Sequence, residues 1–309
     1  MQNNRVALTG ASGTLGRAII KQFDDRKDVD LVALSRRKIA TGRFTNCIVE
    51  LDRREEIENA LRDFVPNIFI HAAATGMQQP RPDEAILRKV NVDLPVRVAE
   101  MACELGCHFA FVSSGLAYKD QGRPLREDDP LGTAHPYGAS KAEAEKQLRV
   151  LAQDRHLRLT IVRPFSFTGE GDFGSKLFPS LLRAAAEKKP FDMTSGEQVR
   201  DHAAVNDIAR GVIAAALRED NERVRIFNLG SGETRSLREL VVDMVRALNL
   251  DVDLRFGARD LSPQEQMFMV ADITRAKDEL AWQPRETIAH AVWQLARASF
   301  STLKLSEPR

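Results

Sequence analysis

Val6-Ala7-Leu8-Thr9-Gly10-Ala11-Ser12-Gly13-Thr14-Leu15-Gly16 joins a short apolar run to a turn with three glycines and then to an amphipathic segment. Residues 5–8 read as a strand and residues 15–23 as a helix, so the glycines fall at a strand-to-helix junction. Glycine there permits a tight turn and lets a diphosphate approach the bare amides at the helix N-terminus. The spacing GxxGxxG differs from the commoner GxGxxG. A plain strand-to-helix turn is the alternative reading of this segment taken alone.

Outward from this junction, short β-branched or apolar runs alternate with amphipathic stretches. Strands are expected at 5–8, 31–34, 46–50, 68–71, 109–113 and 159–163, and helices at 15–23, 55–63, 84–105 and 137–153. Strand and helix in strict turn imply the α/β class, with a doubly wound parallel Rossmann sheet covered by helices. After Arg163 the rhythm breaks, and Pro164, Gly169, Gly171 and Gly174 crowd a loop before a helix at 177–187. A helix at 205–217 and a strand at 223–229 return the chain to the sheet, and residues 230–232 open a C-terminal helical region. Two units are therefore expected: a dinucleotide-binding unit from 1–165 with the return segment 201–230, and a smaller discontinuous lobe from 166–200 and 231–309.

Forty-five Lys and Arg against 44 Asp and Glu give a formal charge of +1 over 309 residues, so no global field recruits nucleic acid or anionic lipid. An anionic ligand must be held by local groups. The chain is 43% hydrophobic and 29% charged, a globular composition. No stretch approaches the roughly 18 apolar residues of a membrane span, and the N-terminus lacks the layout of a secretory signal, so cytoplasmic residence is expected. Cys47, Cys103 and Cys107 form no CxxC, which argues against a disulfide framework or a zinc site. Cys103 and Cys107, four apart on an expected helix, read as small buried residues sharing a face.

The second strand ends Ala33-Leu34-Ser35-Arg36-Arg37, without an acid. A carboxylate there would accept hydrogen bonds from the adenosine ribose hydroxyls, whereas arginine pairs with a ribose 2′-phosphate and stacks on adenine. NADP(H) is favoured over NAD(H), and a solvated arginine pair is the alternative. Tyr137-Gly138-Ala139-Ser140-Lys141 places a phenol and an ammonium one helical turn apart. A cation fixed beside a phenol favours phenolate and lowers the tyrosine pKa, as acid–base work on a carbonyl or alcohol requires. Upstream, Phe111-Val112-Ser113-Ser114 ends a strand in hydroxyls at the carboxyl edge of the sheet. Ser114 is placed to hydrogen-bond the oxygen that Tyr137 protonates, while Ser113, or both hydroxyls, can instead satisfy backbone.

In order along the chain stand TGxxGxxG at 9–16, Asp52, His71-Ala72-Ala73-Ala74, Asn91, Ser114, and Tyr137 with Lys141. They are followed by Val162-Arg163-Pro164-Phe165, Arg200-Asp201, Val205-Asn206-Asp207-Ile208-Ala209, and Phe227-Asn228-Leu229-Gly230-Ser231-Gly232. Asp272-Ile273-Thr274 and Leu280-Ala281-Trp282 complete the set. Together they resemble the extended branch of the short-chain dehydrogenase/reductase superfamily, the NAD(P)-dependent epimerase/dehydratase family acting on nucleotide sugars. The resemblance implies a catalytic trio of Ser114, Tyr137 and Lys141, with Lys141 also on the nicotinamide ribose. It implies cofactor contacts from Gly10, Ser12, Gly13, Thr14, Leu15 and Gly16. Around the rest of the cofactor it places Ser35, Arg36, Arg37, Asp52, Ala72, Ala73, Ala74, Asn91 and Pro164. Arg200 would grip the substrate diphosphate, with Lys176, Phe178 and Arg259 as looser candidates and no metal. A homodimer is implied, paired through the helices that begin near Glu84 and Tyr137, and the setting would be surface-polysaccharide or deoxysugar biosynthesis.

Departures narrow the expected activity. Where 4,6-dehydratases of this family carry Thr-Asp-Glu, this chain has Ser114-Gly115-Leu116, so dehydration is not expected. Ser166 replaces the usual Asn of R-P-F-N, and His71 also stands where Asn is more usual. Without an acid after the second strand, the first expectation is NADPH-dependent reduction of a nucleotide-linked 4-keto-6-deoxy sugar. The alternative is a nucleotide-sugar 4-epimerase with tightly bound NAD. A third reading, from another class, is a non-catalytic NADP(H)-binding scaffold or redox sensor.

Overall fold

The computed structural model describes residues 3–39, 42–77, 82–219, 222–262 and 265–308. The few remaining positions inside the two expected units, 1–165 with 201–230 and 166–200 with 231–309, lie outside the described residues.

Strands β1 (Asn4–Thr9), β2 (Val29–Ser35), β3 (Thr45–Ile48), β4 (Ile68–His71), β5 (His108–Val112) and β6 (Leu159–Pro164) follow the expected order. Between them run α1 (Thr14–Asp24), α2 (Arg54–Leu61), α3 (Glu84–Leu87), α4 (Leu94–Glu104) and α5 (Pro136–Asp154). Five further elements follow in the middle of the chain: β7 (Ser166–Thr168), α6 (Leu177–Glu187), β8 (Phe191–Met193), β9 (Val199–Arg200) and β10 (His202–Ala204). The chain then runs through α7 (Val205–Leu217), β11 (Val224–Leu229), α8 (Leu237–Ala247), β12 (Leu254–Phe256), β13 (Phe268–Met269), α9 (Thr274–Leu280) and α10 (Ile288–Ser299).

Seven strands form one parallel sheet in the order β11-β6-β5-β4-β1-β2-β3. The order reverses between β1 and β4, and such a switch point opens a crevice beyond the carboxyl ends of the strands. Alternation along β1 supplies both cores: Val6 and Leu8 pack with α1 and α7, and Ala7 packs on the other face with α2, α4 and α5. A third apolar cluster joins Phe178, Leu181 and Leu182 of α6 to Val241 of α8 and Leu295 of α10. The strand at β11 makes the expected single return to the sheet.

Three features depart from the expected elements. The helix expected at 84–105 is interrupted by a π-helical turn, Arg88–Asp93. Pro95 follows and has no N–H to give to the carbonyl four residues back, so the turn widens where that bond is missing. The same helix stops at Glu104, and Gly106 turns the chain with φ +67°, so Cys107 leaves the face of Cys103 and donates its thiol to the Pro66 carbonyl. The region after residue 232 is not purely helical: β12 pairs with β8 and β13 with β9 in small parallel ladders.

Asp201 ties the return segment together. Its carboxylate accepts hydrogen bonds from the Ser231 amide and hydroxyl, the Gly232 amide and the Ala271 amide. A Cβ on Gly230 would stand 2.4 Å from its Oδ2, which is why glycine occupies that position.

Candidate active site

Parallel register aligns Thr9 with His71 and His71 with Phe111, so the ends of β1, β4 and β5 open into one crevice. A cavity of about 450 Å³ occupies it. Its walls bring together Gly10, Gly13, Thr14, Leu15 and Gly16 from the glycine turn with Ala72 and Ala74 after β4. Ser114, Tyr137, Lys141 and Pro164 line the same space, and Lys176, Phe178 and Arg200 line it too.

The glycine turn fits a dinucleotide diphosphate. Gly10 has φ +72°, and a Cβ there would meet the Ala72 backbone at 2.5 Å, so glycine is needed both for the turn and for the approach of the next strand. Gly13 is the N-cap of α1; no side chain caps that helix, and its first turn holds no acid. A Cβ on Gly13 would meet only the Gly10 carbonyl oxygen, at 3.3 Å. The bare amide end of α1 therefore faces the cavity, where backbone N–H groups and the helix dipole favour an anion. The Gly171 carbonyl covers the flank of this turn, accepting from Thr14 Oγ1 at 3.0 Å and from Arg17 Nη2 at 2.7 Å.

Other expected cofactor residues lie off the cavity wall. Arg36 and Arg37 are exposed after β2, while Ser35 is buried, donating to the Arg37 carbonyl and accepting from Asn46. Asp52 is exposed and paired with Lys89 at 2.8 Å, which holds its carboxyl below the usual range. Ser12 is exposed and Ala73 half-buried. Asn91 is buried in the π turn, where its side chain accepts from the Thr75 amide and donates to the Thr75 carbonyl and to Ser140 Oγ. It braces the loop after β4 against α5 rather than facing the cavity. Arg259 is exposed, and its described hydrogen bond is through the backbone, to the Met193 carbonyl.

Pro136 at the first turn starts α5, which puts Tyr137 and Lys141 on its buried face. Ser114 begins a 3₁₀ turn, Gly115–Ala117, and its Oγ accepts from the Leu116 amide at 3.1 Å. That bond leaves the Ser114 hydroxyl hydrogen free to be donated. Lys141 Nζ donates to the Val112 carbonyl at 2.8 Å and lies 4.5 Å from the Phe111 ring centroid. Burial pulls Lys141 down to about 7, with Glu145 working against that shift. Burial likewise pushes Tyr137 up to about 12. The expected lowering of the Tyr137 pKa by Lys141 is therefore overturned in this arrangement. Desolvation governs both groups, and the ammonium is engaged by a backbone carbonyl. At neutral pH Tyr137 holds its proton, the state that can donate to a developing alkoxide.

Sequence spacing missed the polar layer behind this pair. Arg163, 1% exposed, binds Glu145 through Nε and Nη2, the latter at 2.6 Å. Its Nη1 donates to Tyr118 Oη and to the Glu127 carbonyl. Ser113 donates to Glu145 at 2.5 Å, so its hydroxyl serves a buried carboxylate and not the backbone. The signal was present, since Tyr137, Lys141 and Glu145 recur every four residues on one helix face. His71 accompanies them: its Nδ1 shares a 3.0 Å hydrogen bond with Thr9 Oγ1, Nε2 is buried without a partner among the described residues, and burial holds its pKa down to about 3.

At the other end of the cavity, Phe178 is 1% exposed and belongs to the third apolar cluster, edge-on to His202 with centroids 5.4 Å apart. Lys176 pairs with buried Asp172 at 2.8 Å. Arg200 is bound by Glu265, by the Gln266 carbonyl and by the Val199 carbonyl. Glu265 was not singled out from sequence, where nothing distinguishes it from a surface acid.

Among the described residues no helix is long and apolar enough to cross a membrane, and no cluster of His, Cys, Asp and Glu is arranged to hold a metal. The UDP-glucose 4-epimerase of Vibrio cholerae is 25% identical over 316 residues, covering 95% of this chain and 94% of the relative. The dTDP-4-dehydro-6-deoxyglucose reductase of Escherichia coli is 26% identical over 320 residues, covering 96% and 98%. In fold, the chain is similar to MoeE5 in complex with UDP-glucose and NAD, with TM-score 0.86 at 23% identity, covering 97% of this chain and all of that one. The model of the NAD dependent epimerase/dehydratase family matches residues 6–230. With the glycine turn, the switch-point crevice and the Ser114, Tyr137 and Lys141 constellation in one cavity, the chain belongs to the NAD dependent epimerase/dehydratase family, as an enzyme of the extended short-chain dehydrogenase/reductase type.

Proposed function

We propose that the chain interconverts the hydroxyl and ketone at C4 of a nucleotide-linked hexose, and that the overall reaction is 4-epimerisation. The observation that carries this reading is the meeting of Ser114, Tyr137 and Lys141 with the glycine turn in one cavity. A nicotinamide dinucleotide bound along that turn would supply and receive the hydride. Tyr137 gives its proton to the C4 oxygen as the ketone is reduced and takes it back as the alcohol is oxidised. Ser114 donates to the same oxygen and fixes its position. Lys141 stands behind both, held by the Val112 carbonyl, where it would bind the nicotinamide ribose of that dinucleotide.

Epimerisation needs the ketone to present both faces to one donor. Leu116, Phe165 and Phe167 line the cavity without side-chain hydrogen-bonding groups, so they do not pin a single orientation. Several relatives similar over nearly the whole chain are UDP-glucose 4-epimerases, which favours a uridine diphosphate sugar. Segments 166–200 and 231–309 would form the lobe that holds this substrate, with Arg200 and Lys176 near its diphosphate. A homodimer paired through the helices that begin near Glu84 and Tyr137 remains part of this reading, by resemblance.

The second reading, NADPH-dependent reduction of a 4-keto-6-deoxy sugar, rests on Arg36 and Arg37. Both are exposed at the end of β2, where an arginine pairs bidentately with a 2′-phosphate and where no acid stands. The protonated state of Tyr137 also suits the reductive direction.

The deciding experiment offers the purified enzyme UDP-glucose and UDP-galactose with NAD, and separately a nucleotide-linked 4-keto-6-deoxy sugar with NADPH. Interconversion of the two UDP-sugars, lost in Tyr137→Phe, supports the epimerase. Stoichiometric NADPH oxidation by the ketone, weakened in Arg36→Ala, replaces it with the reductase. Turnover in neither assay, or in Tyr137→Phe as readily as in the wild type, overturns both.

A further inference from the structure

Both cations at the diphosphate end of the cavity already have carboxylate partners. Lys176 Nζ lies 2.8 Å from Asp172 Oδ1 and 5.0 Å from the Phe167 ring centroid. Arg200 is paired with Glu265. His202 stands beside both cations, whose charges add to burial in pulling it down to about 3, so it contributes no charge at neutral pH. Asp120 also acts on Arg200, so the subsite carries no net positive charge, although an arriving diphosphate carries at least two negative charges.

The two carboxylates differ in how firmly they are held. Asp172 has a side chain 1% exposed, accepts from Thr168 Oγ1 at 3.0 Å, and accepts from the Phe173 amide at 3.1 Å. It cannot leave Lys176 without breaking that set. The Glu265 side chain is 31% exposed, and among the described residues Arg200 is the one hydrogen-bonding partner of its carboxylate. The chain after it is fastened: Gln266 Nε2 donates to the Tyr118 carbonyl at 2.7 Å, and the Met267 and Phe268 amides donate to Asp120 Oδ2. Glu265 can therefore turn away while Gln266, Met267 and Phe268 stay in place.

We propose that Glu265 is a displaceable counter-ion of the Arg200 anion subsite, an internal competitor that the diphosphate of the substrate must replace on the guanidinium. The nature of that ligand rests on the nucleotide-sugar reading above; the competition itself does not. While Glu265 holds Arg200, the guanidinium has hydrogen-bonding partners and a neutralised charge, so isolated phosphate gains little by entering. A diphosphate anchored at its nucleoside end reaches Arg200 at high effective concentration and takes the place of the carboxylate. Affinity for simple anions is lowered in exchange for selectivity, the repulsive element on which discrimination between ligands commonly depends.

The test is calorimetric titration of the wild type, Glu265→Gln, Glu265→Asp and the double variant Glu265→Gln/Arg200→Gln with two probes, UDP and inorganic pyrophosphate. Thermal melts check that each variant is folded. Glu265→Gln removes the competing charge and should tighten both probes by about ten-fold or more, since a factor of ten is about 1.4 kcal/mol and a charge-assisted hydrogen bond is of that order. Glu265→Asp, whose carboxylate stops one carbon short, should move in the same direction by less. The gain should vanish in the double variant. Unchanged or weaker pyrophosphate binding by Glu265→Gln, or a gain that survives loss of Arg200, overturns the proposal. Tighter pyrophosphate binding by Glu265→Gln with no UDP binding by any form leaves the counter-ion role standing and sinks the nucleotide-sugar reading. UDP bound equally by wild type and Glu265→Gln does the reverse.

Discussion

Lys141 follows Tyr137 by one turn of α5, yet its ammonium donates to the Val112 carbonyl, and burial lowers its pKa while raising that of the phenol. The pair is held by the protein in an electrostatically costly state. Native Lys141 titrates near 7, against 10.5 when exposed. Between those values the unfolded chain keeps a proton that the native chain has shed, so wild-type stability rises with pH in that window. Below about 7 both states are charged and the cost is fully present. Lys141→Met should therefore gain most relative to wild type at pH 6 and progressively less towards pH 10, measured as urea midpoints, while losing turnover at every pH. A pH-independent difference would show that the ammonium is not desolvated as described.

His71 titrates in the opposite part of the scale. Its native pKa is about 3 against 6.5 unfolded, so the unfolded chain binds a proton first and stability is lost as pH falls through that interval. Going from pH 7 to 4.5, the wild type should lose about 2–3 kcal/mol more than His71→Asn, at 1.36 kcal/mol per pKa unit. Asn keeps an amide for Thr9 but has no proton to take up. Parallel acid dependence in the two proteins would remove His71 from the balance.

Arg163 and Glu145 form a pair buried to 1% and 0% side-chain exposure behind the catalytic helix. Arg163→Met strands a buried carboxylate and should cost about 3–5 kcal/mol. Adding Glu145→Leu should recover most of that loss, because the charge that was stranded is gone. A double variant as unstable as the single one would mean that the remaining partners, Ser113 and Tyr118, dominate the network.

Gly13 caps α1 with φ −75° and ψ 169°, a conformation open to aspartate. Gly13→Asp should stabilise the fold by a few tenths to about 1 kcal/mol through the cap and the helix dipole. It should also abolish dinucleotide binding, because the new carboxylate occupies the anion site. A higher melting temperature with lost cofactor fluorescence would be the signature; retained binding would place the diphosphate elsewhere.

Sheet, helices and glycine turn were legible because each rests on many residues with one period. The elements at 68–71, 177–187 and 205–217 match to the residue, since their boundaries coincide with abrupt changes of polarity. The ladders β12·β8 and β13·β9 were not legible: strands of two or three residues carry no period, and their partners are distant in sequence. Lys141 and Tyr137 could be placed on a common face from spacing alone. Their protonation could not, because it depends on how much protein surrounds them. Glu145 and Glu265 show the same limit, one entombed and the other half-open, though nothing in their type separates them.

Asp201 holds three stretches of chain at once: the one that contains it, the turn at Ser231 and Gly232, and Ala271 just after β13. The last of these lies beyond residue 230, where the match to the family ends. The part matched by the family model therefore draws hydrogen bonds from residues beyond it. A fragment cut after residue 230 would keep a carboxylate deprived of its donors directly beside Arg200. The shape around Asp201 thus depends on residues that follow it by 30 to 70 positions in the chain.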